Sequence, residues 1–204
     1  MYRPAPIRTE RLLLRPLEIQ DAAAVLRFRG DPTATQFLSH SALGPEENCA
    51  RIHRLVEAAD SSSVDWFSFG WAIELCETGE VIGDGRTWNS AEPPAPGKIP
   101  ADFGSLGCIL HPSHHRRGLG REAAGALVSW LFEQRGTQTV FAGVYEPNLP
   151  SRHLLAGLGF RQDRHFTSAQ DTTGKNLPSL RYRLDRNSYL IGPGTATKQV
   201  APPD

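Results

Sequence analysis

Apolar and charged residues alternate through "TERLLLRPLEIQD", with Leu12 and Leu14 in step, the period-two pattern of a strand with one buried face. Asp21 then stands where a helix N-cap is wanted, ahead of "AAAVLRFRG", and Gly30-Asp31-Pro32 stops that helix. A second helix is predicted over "GPEENCARIHRLVEAA": Pro45 takes its first position and Ile52, Leu55, Val56 and Ala59 share one side. "WFSFGWAIELCETGEVIGDGRTW" predicts two strands joined by a turn at Glu77-Thr78-Gly79-Glu80, and "GSLGCIL" a short apolar strand ending before His111. After Gly118, Leu119, Ala123, Leu127, Trp130 and Leu131 recur at helical spacing, with Gly136 as terminator. "TQTVFAGVY" is the next strand, "NLPSRHLLAGLGF" a short helix ending at Gly157 or Gly159, and "SLRYRLDR" a last strand. Strands and helices interleave without a repeat, which predicts one mixed α/β (α+β) domain over residues 1–190.

Composition narrows the classes. Of 204 residues, 39% are apolar and 22% charged, ordinary for a globular protein large enough to bury a core. Lysine plus arginine balances aspartate plus glutamate at 22 each, which argues against a dedicated nucleic-acid binder. No apolar run reaches bilayer length, and the opening "MYRPAPIRTERLLLRP" lacks the apolar core of a signal peptide. Three widely spaced cysteines, Cys49, Cys76 and Cys108, form neither a disulfide framework nor a zinc-ligand spacing. A cytoplasmic protein with no membrane partner is expected. The tail 191–204, "IGPGTATKQVAPPD", has little to bury and is expected to be disordered. The segment Asn89–Asp102 places four prolines between two strands, a length associated with function or disorder.

The candidate chemistry lies in "HPSHHRRGLGREAAGALVSWLFEQRG". Two glycines and adjacent arginines at a helix start suit an anion. A phosphate-binding P-loop needs Gly-Lys-Ser/Thr, and no such lysine is present. "GLGREA" formally fits a dinucleotide fingerprint, but "HPSHHRR" separates it from the strand, and no acidic residue follows at the distance that a ribose requires. A coenzyme A suits every piece: backbone N–H groups for the pyrophosphate, Arg116, Arg117 and Arg121 for charge, and a preceding strand to pair with an extended amide-bearing arm.

At these residues the chain resembles the GNAT superfamily of acyl-CoA-dependent N-acyltransferases, and within it the RimJ/RimL-like branch that acetylates N-terminal amines of ribosomal proteins. The resemblance spans roughly residues 8 to 190 in element order. It rests on "TERLLLRPLEIQDA", "TGEVIGD", "LGCILHPSHHRRGLGREA" and "NLPSRHLLAGLGF". The third contains the family's Q/R-x-x-G-x-G/A pyrophosphate loop as His115-Arg116-Arg117-Gly118-Leu119-Gly120, with His115 departing from the usual Gln or Arg.

The resemblance implies a mostly antiparallel, twisted central sheet flanked by helices, and acetyl transfer from acetyl-CoA to a primary amine by direct attack on the thioester. It assigns His115, Arg116, Arg117, Gly118, Leu119, Gly120 and Arg121 to the cofactor phosphates, and Ile109 and Leu110 to the pantetheine amides. The Leu110 N–H is implied as the thioester oxyanion donor. Many members protonate the leaving thiolate with a tyrosine seven residues after the Asn, where this chain has Leu155. The RimL-like alternative implies Ser151 as proton donor and Asn148 as a pantetheine contact, although the residues alone favour helix capping, an order that the resemblance reverses. The general base stays open among Glu74, Asp84, Asp102, His111 and water. His111, His114 and His115 without neighbouring carboxylates or cysteines do not make a metal site, and no metal is expected. The acceptor is open between a protein N-terminus and a small amine such as an aminoglycoside-type antibiotic; Glu74, Asp84 and Asp102 would favour a polycation if they converged. The alternative is a non-catalytic acyl-CoA-binding or sensing domain. A monomer or homodimer is expected, without a nucleic-acid partner.

Overall fold

The computed structural model describes residues 3–90 and 102–191. Its strands are β1 (Ile7–Arg8), β2 (Leu12–Pro16), β3 (Ser68–Leu75), β4 (Val81–Trp88), β5 (Phe103–Leu110), β6 (Thr139–Tyr145), β7 (Arg161–Phe166) and β8 (Ser179–Asp185). Its α-helices are α1 (Ala22–Arg29), α2 (Pro45–Asp60), α3 (Leu119–Glu133), α4 (Leu149–Gly157) and α5 (Arg186–Ile191). The strands form one sheet in the order β1-β2-β3-β4-β5-β6-β8-β7. Every neighbouring pair is antiparallel except the central β5–β6 pair. The mixed α/β, mostly antiparallel architecture is the one expected.

Each sheet face buries a different set of helices. Leu12, Leu14, Trp71, Ile73, Ile82, Leu106, Leu110 and Val140 pack with Leu119, Ala123, Leu127 and Leu131 of α3. Trp130 of α3 meets the rings of Phe67, Phe69 and Trp71 edge-on at 5.9, 5.7 and 5.1 Å, geometry that aromatic quadrupoles favour. On the other face, Leu17, Ala72, Val81 and Ile109 pack against Val25 and Phe28 of α1 and Ile52 and Leu55 of α2. The helical spacing in α2 and α3 therefore describes their buried sides.

Several local expectations change. Asp21 occupies the N-cap position of α1, but its carboxylate makes no cap bond. It accepts from Arg15 Nη1 and Nη2 at 2.8 and 2.7 Å and from the Glu18 N–H at 2.8 Å, because a charged partner binds it more strongly than a helix amide would. Cys76 lies in the turn after β3 rather than in a strand. β1, β7 and α5 are elements that the hydrophobic pattern does not announce. Of the proline-rich segment, residues 91–101 lie outside the described residues. Its first residue is buried: Asn89 Oδ1 accepts from the Phe67 N–H at 3.0 Å and Nδ2 donates to the Asp65 carbonyl at 2.8 Å. The expected tail also lies outside the described residues, except Ile191, which closes α5. Among the described residues no helix is long and apolar enough to cross a membrane.

Candidate active site

The parallel strands β5 and β6 pair only at Phe103–Thr139, Gly104–Val140 and Ser105–Phe141. Beyond those pairs they diverge, so Leu106 to Leu110 keep β4 on one side and Ala142 to Tyr145 keep β8 on the other. A wedge opens in the middle of the sheet. The His111 N–H donates to the Ile82 carbonyl of β4 at 2.7 Å. Because backbone groups alternate along a strand, Ile109 also turns its N–H and C=O toward β4, while Cys108 and Leu110 turn theirs into the wedge. The Ile109 backbone is thus engaged with Asp84 of β4, and the Cys108 and Leu110 backbones are the ones that border the wedge. The Leu110 carbonyl accepts from His115 Nε2 at 2.9 Å in the Nε2-protonated tautomer, which leaves the Leu110 N–H as that residue's open group.

The loop after β5 makes a single 3-10 turn at Pro112–His114 and then runs exposed through Arg116, Arg117 and Gly118. Arg116 has φ of 56° and Gly118 φ of 78°. Gly118 is the N-cap of α3 and supplies no side-chain bond; the first helical bond joins the Glu122 N–H to the Gly118 carbonyl at 3.1 Å. The N–H groups of Leu119, Gly120 and Arg121 therefore point out of the positive end of a 15-residue helix. Leu119 itself is buried in the core, so only its backbone is available.

Arg11, just before β2, holds this loop. Its Nη1 donates to the Arg117 carbonyl at 2.9 Å and its Nε to Glu122 Oε2 at 2.7 Å. Glu122 Oε1 accepts from Thr9 Oγ1 at 2.6 Å and from the Arg11 N–H at 2.9 Å. Burial alone would raise the Glu122 carboxyl; the Thr9 and Arg11 bonds outweigh it and hold it below its usual range. Arg121 is placed differently from expectation. Its Nη2 donates to the Gly157 carbonyl at 2.6 Å, satisfying the C-terminal end of α4 instead of facing the loop.

Asn148 is the N-cap of α4, its Oδ1 accepting from the Ser151 N–H at 3.2 Å. The capping expectation thus holds for the Asn148 carbonyl and the Ser151 amide. It leaves the Ser151 hydroxyl and the Asn148 amide nitrogen without a hydrogen bond among the described residues. Both lie just past the C-terminal end of β6, at the open end of the wedge. Leu155 is buried in the core.

The two hairpin carboxylates among the candidate bases are both ion-paired. Asp84 is 0% exposed, with Arg29 Nη2 at 2.5 Å and Arg51 Nη1 at 2.9 Å from its oxygens. Burial raises its carboxyl, but the two guanidiniums outweigh burial and hold it below the carboxylate range, the wrong direction for a base near neutrality. Glu74 accepts from Arg15 Nε at 2.6 Å. Asp102 is exposed before β5, and His111 Nδ1 lies 2.7 Å from Ser113 Oγ. Among the described residues, Glu74 and Asp84 are neutralised by arginines and do not form the free acidic lining that would favour a polycation. The Cys108 thiol is pushed up to about 11, by burial and then by Asp84, and stays protonated. Among the described residues no group of three His, Cys, Asp or Glu is arranged to hold a metal ion.

Residues that the sequence did not single out also meet here. Gly107 and Gly143 are exposed in the middle of central strands, and a Cβ on either would touch nothing within 4 Å. Tyr145 ends β6 on the same face, its hydroxyl 2.5 Å from Thr173 Oγ1. Period-two counting from Ile109 would have placed Gly107 on that face; the directions of the Cys108 and Leu110 amides needed the register.

This wedge and loop occur in a region recognised by the family model described as "Acetyltransferase (GNAT) domain", which matches residues 11–161. The chain is 24% identical over 182 residues to the uncharacterized N-acetyltransferase p20 of Bacillus licheniformis, covering 89% of this chain and 96% of that one. It is 25% identical over 190 residues to the FsC-acetyl coenzyme A-N(2)-transacetylase of Aspergillus fumigatus, covering 90% and 77%. Its fold is that of Mycobacterium smegmatis RimJ, solved in complex with CoA-disulfide, with a TM-score of 0.70 at 20% identity, covering 93% of each chain. The chain belongs to the GNAT acetyltransferase family and is an N-acetyltransferase.

Proposed function

We propose that residues 1–190 act as one unit that transfers an acetyl group from acetyl-CoA to a primary amine by direct attack on the thioester. The observation that carries this reading is the wedge between β5 and β6, with the Cys108 and Leu110 N–H groups open along its edge and a glycine-capped helix start at its mouth. The pyrophosphate sits on the N–H groups of Leu119, Gly120 and Arg121, with His115, Arg116 and Arg117 at its rim. The pantetheine arm runs into the wedge and adds to the free edge of β5 as a strand would. The thioester oxygen accepts from Leu110 or Cys108; such a donor is worth about 3 kcal/mol in comparable sites.

The neutral amine attacks the thioester carbon, the C–S bond breaks, and the amine proton leaves through water. At pH 7 a free α-amine, with pKa about 8, is neutral in roughly one molecule in ten, and a lysine-type amine, about 10.4, in roughly one in 2,500, so the α-amine depends far less on a dedicated base. The Ser151 hydroxyl returns a proton to the departing thiolate, directly or through water, and the Asn148 amide holds the arm. The likeness to RimJ supports placing the chain in the RimJ/RimL-like branch, which favours an α-amine over a lysine side chain. The test is thiol release from acetyl-CoA against N-terminal peptides, polyamines and aminoglycosides, with product masses measured. A gain of about 42 Da on one acceptor class, the mass of an acetyl replacing a hydrogen, supports the reading. Binding of acetyl-CoA without transfer to any amine contradicts it and favours a sensing domain.

A further inference from the structure

Arg86 of β4 lies directly opposite Gly107 of β5, and Gly143 of β6 lies directly opposite Arg181 of β8. Continuing the β5–β6 register past Ser105–Phe141 sets Gly107 across the wedge from Gly143. The row Arg86, Gly107, Gly143, Arg181 therefore crosses the sheet on one face. That face carries Asp84 and Ile109, opposite the one covered by α3. Its centre is bare: both glycines are exposed, with open space where a Cβ would stand. The floor adjoins the Cys108 N–H, on the side of the wedge from which an amine can approach the thioester.

The two flanking arginines differ. Arg181 is committed to the Asp163 carboxylate, with its guanidinium carbon 4.6 Å from the centre of the Phe141 ring. Arg86 has no carboxylate in ion-pair range among the described residues. Its Nε and Nη2 both donate to a single acceptor, Ser68 Oγ, at 3.2 and 3.0 Å, and its guanidinium carbon lies 5.1 Å from the centre of the Trp88 ring. A guanidinium has five donors and no acceptor, so among the described residues most of Arg86's donors remain unused. Burial lowers its pKa with no acidic neighbour to offset it. The arginines nearby add to the imbalance, since Arg29 and Arg51 share the single carboxylate of Asp84. Partly buried positive charge that the described residues do not neutralise is costly unless a ligand does so. Paired residues in such a ladder have Cα atoms about 5.5 Å apart, so a molecule lying on Gly107 is within reach of the Arg86 side chain.

We propose that the acceptor amine carries an anionic group, a carboxylate or a phosphate-type oxyanion, which Arg86 binds over the Gly107–Gly143 floor while the amine faces the thioester. The proposal rests on the acetyl-transfer reading above and replaces the polycationic acceptor with one of opposite charge.

The test uses the full chain and matched primary amines of several chain lengths, ending in a carboxylate, a phosphonate or a carboxamide, with spermidine as a cationic reference. The anionic series is expected to show kcat/KM at least about tenfold above the carboxamides, and the better of carboxylate and phosphonate identifies the anion. In Arg86→Gln that preference is expected to collapse, through KM of the anionic acceptors, and Arg86→Lys is expected to restore part of it. The KM of acetyl-CoA, read in the same assay, is expected to stay put and separates loss of fold from loss of the anion contact. Equal or better turnover of carboxamides or spermidine by the unaltered chain overturns the proposal and leaves acetyl transfer standing. Failure to bind acetyl-CoA overturns both.

Discussion

Arg11 and Arg117, far apart in sequence, meet where the Arg11 guanidinium donates to the Arg117 carbonyl at 2.9 Å while gripping Glu122 in the first turn of α3. The strand segment that opens the domain thereby sets the shape of the exposed loop. A carbonyl turned toward Arg11 leaves the following N–H groups facing outward. Replacing Arg11 with Ala is expected to weaken acetyl-CoA binding by several-fold to about tenfold, the scale of one lost charge-assisted hydrogen bond at an exposed position. Titration calorimetry with acetyl-CoA checks this; unchanged affinity would separate the contact from the loop's function.

Gly118 has φ of 78°, and an added Cβ would lie 3.3 Å from Arg11 Nη2. Left-handed backbone costs a residue with a side chain about 1–2 kcal/mol. Gly118→Ala is expected to lower thermal stability by that amount and to raise the KM of acetyl-CoA more than that of the amine. Equal effects on the two KM values would show a global rather than a local loss.

Ser151 and Asn148 separate capping from chemistry. The cap uses the Ser151 amide and the Asn148 carbonyl oxygen, not the serine hydroxyl. Ser151→Ala is therefore expected to leave unfolding within about 0.5 kcal/mol of the parent. Its kcat is expected to fall by about a hundredfold or more, the lower end for loss of a positioned acid. Asn148→Ala removes the cap and is expected to cost about 1 kcal/mol of stability. Full activity in Ser151→Ala would remove it from the mechanism.

Asp84 joins α1, α2 and β4 through Arg29 and Arg51. Asp84→Asn leaves two buried guanidiniums without their carboxylate and is expected to destabilise by about 3–5 kcal/mol in urea unfolding. The folded-state carboxyl sits below its usual value. The stabilisation is therefore present above the unfolded-state pKa, and it is lost as pH falls through the lower folded-state pKa. The parent is expected to lose stability in acid, and Asp84→Asn to show a shallower acid slope.

Much of the architecture is legible in the chain because burial imposes periodicity. Leu12 and Leu14 fall inside β2, and Leu119, Leu127 and Leu131 mark the buried side of α3. β7 escaped for the complementary reason: "RQDRHF" is an edge strand, almost wholly exposed, so no alternation is selected along it. The glycine-rich loop was legible because its chemistry lies in residue types at fixed spacing. The orientation of the Ile109 and Cys108 amides was not, since the direction of an amide depends on register with β4. Arg121 looked like a phosphate ligand until α4 supplied a carbonyl for it. Nothing in the sequence separates Arg86 from Arg181; the difference lies in three dimensions, where Arg181 meets Asp163 and Arg86 has no acidic partner among the described residues.

The most direct test of the wedge as the thioester site is an amide NMR titration of the isotope-labelled chain with acetyl-CoA. Large shifts are expected at Cys108, Leu110 and Gly118 to Arg121, with Ile109, hydrogen-bonded into β4, moving less than either neighbour. Binding that leaves the Cys108 and Leu110 amides in place would put the thioester elsewhere and contradict the mechanism proposed from this geometry.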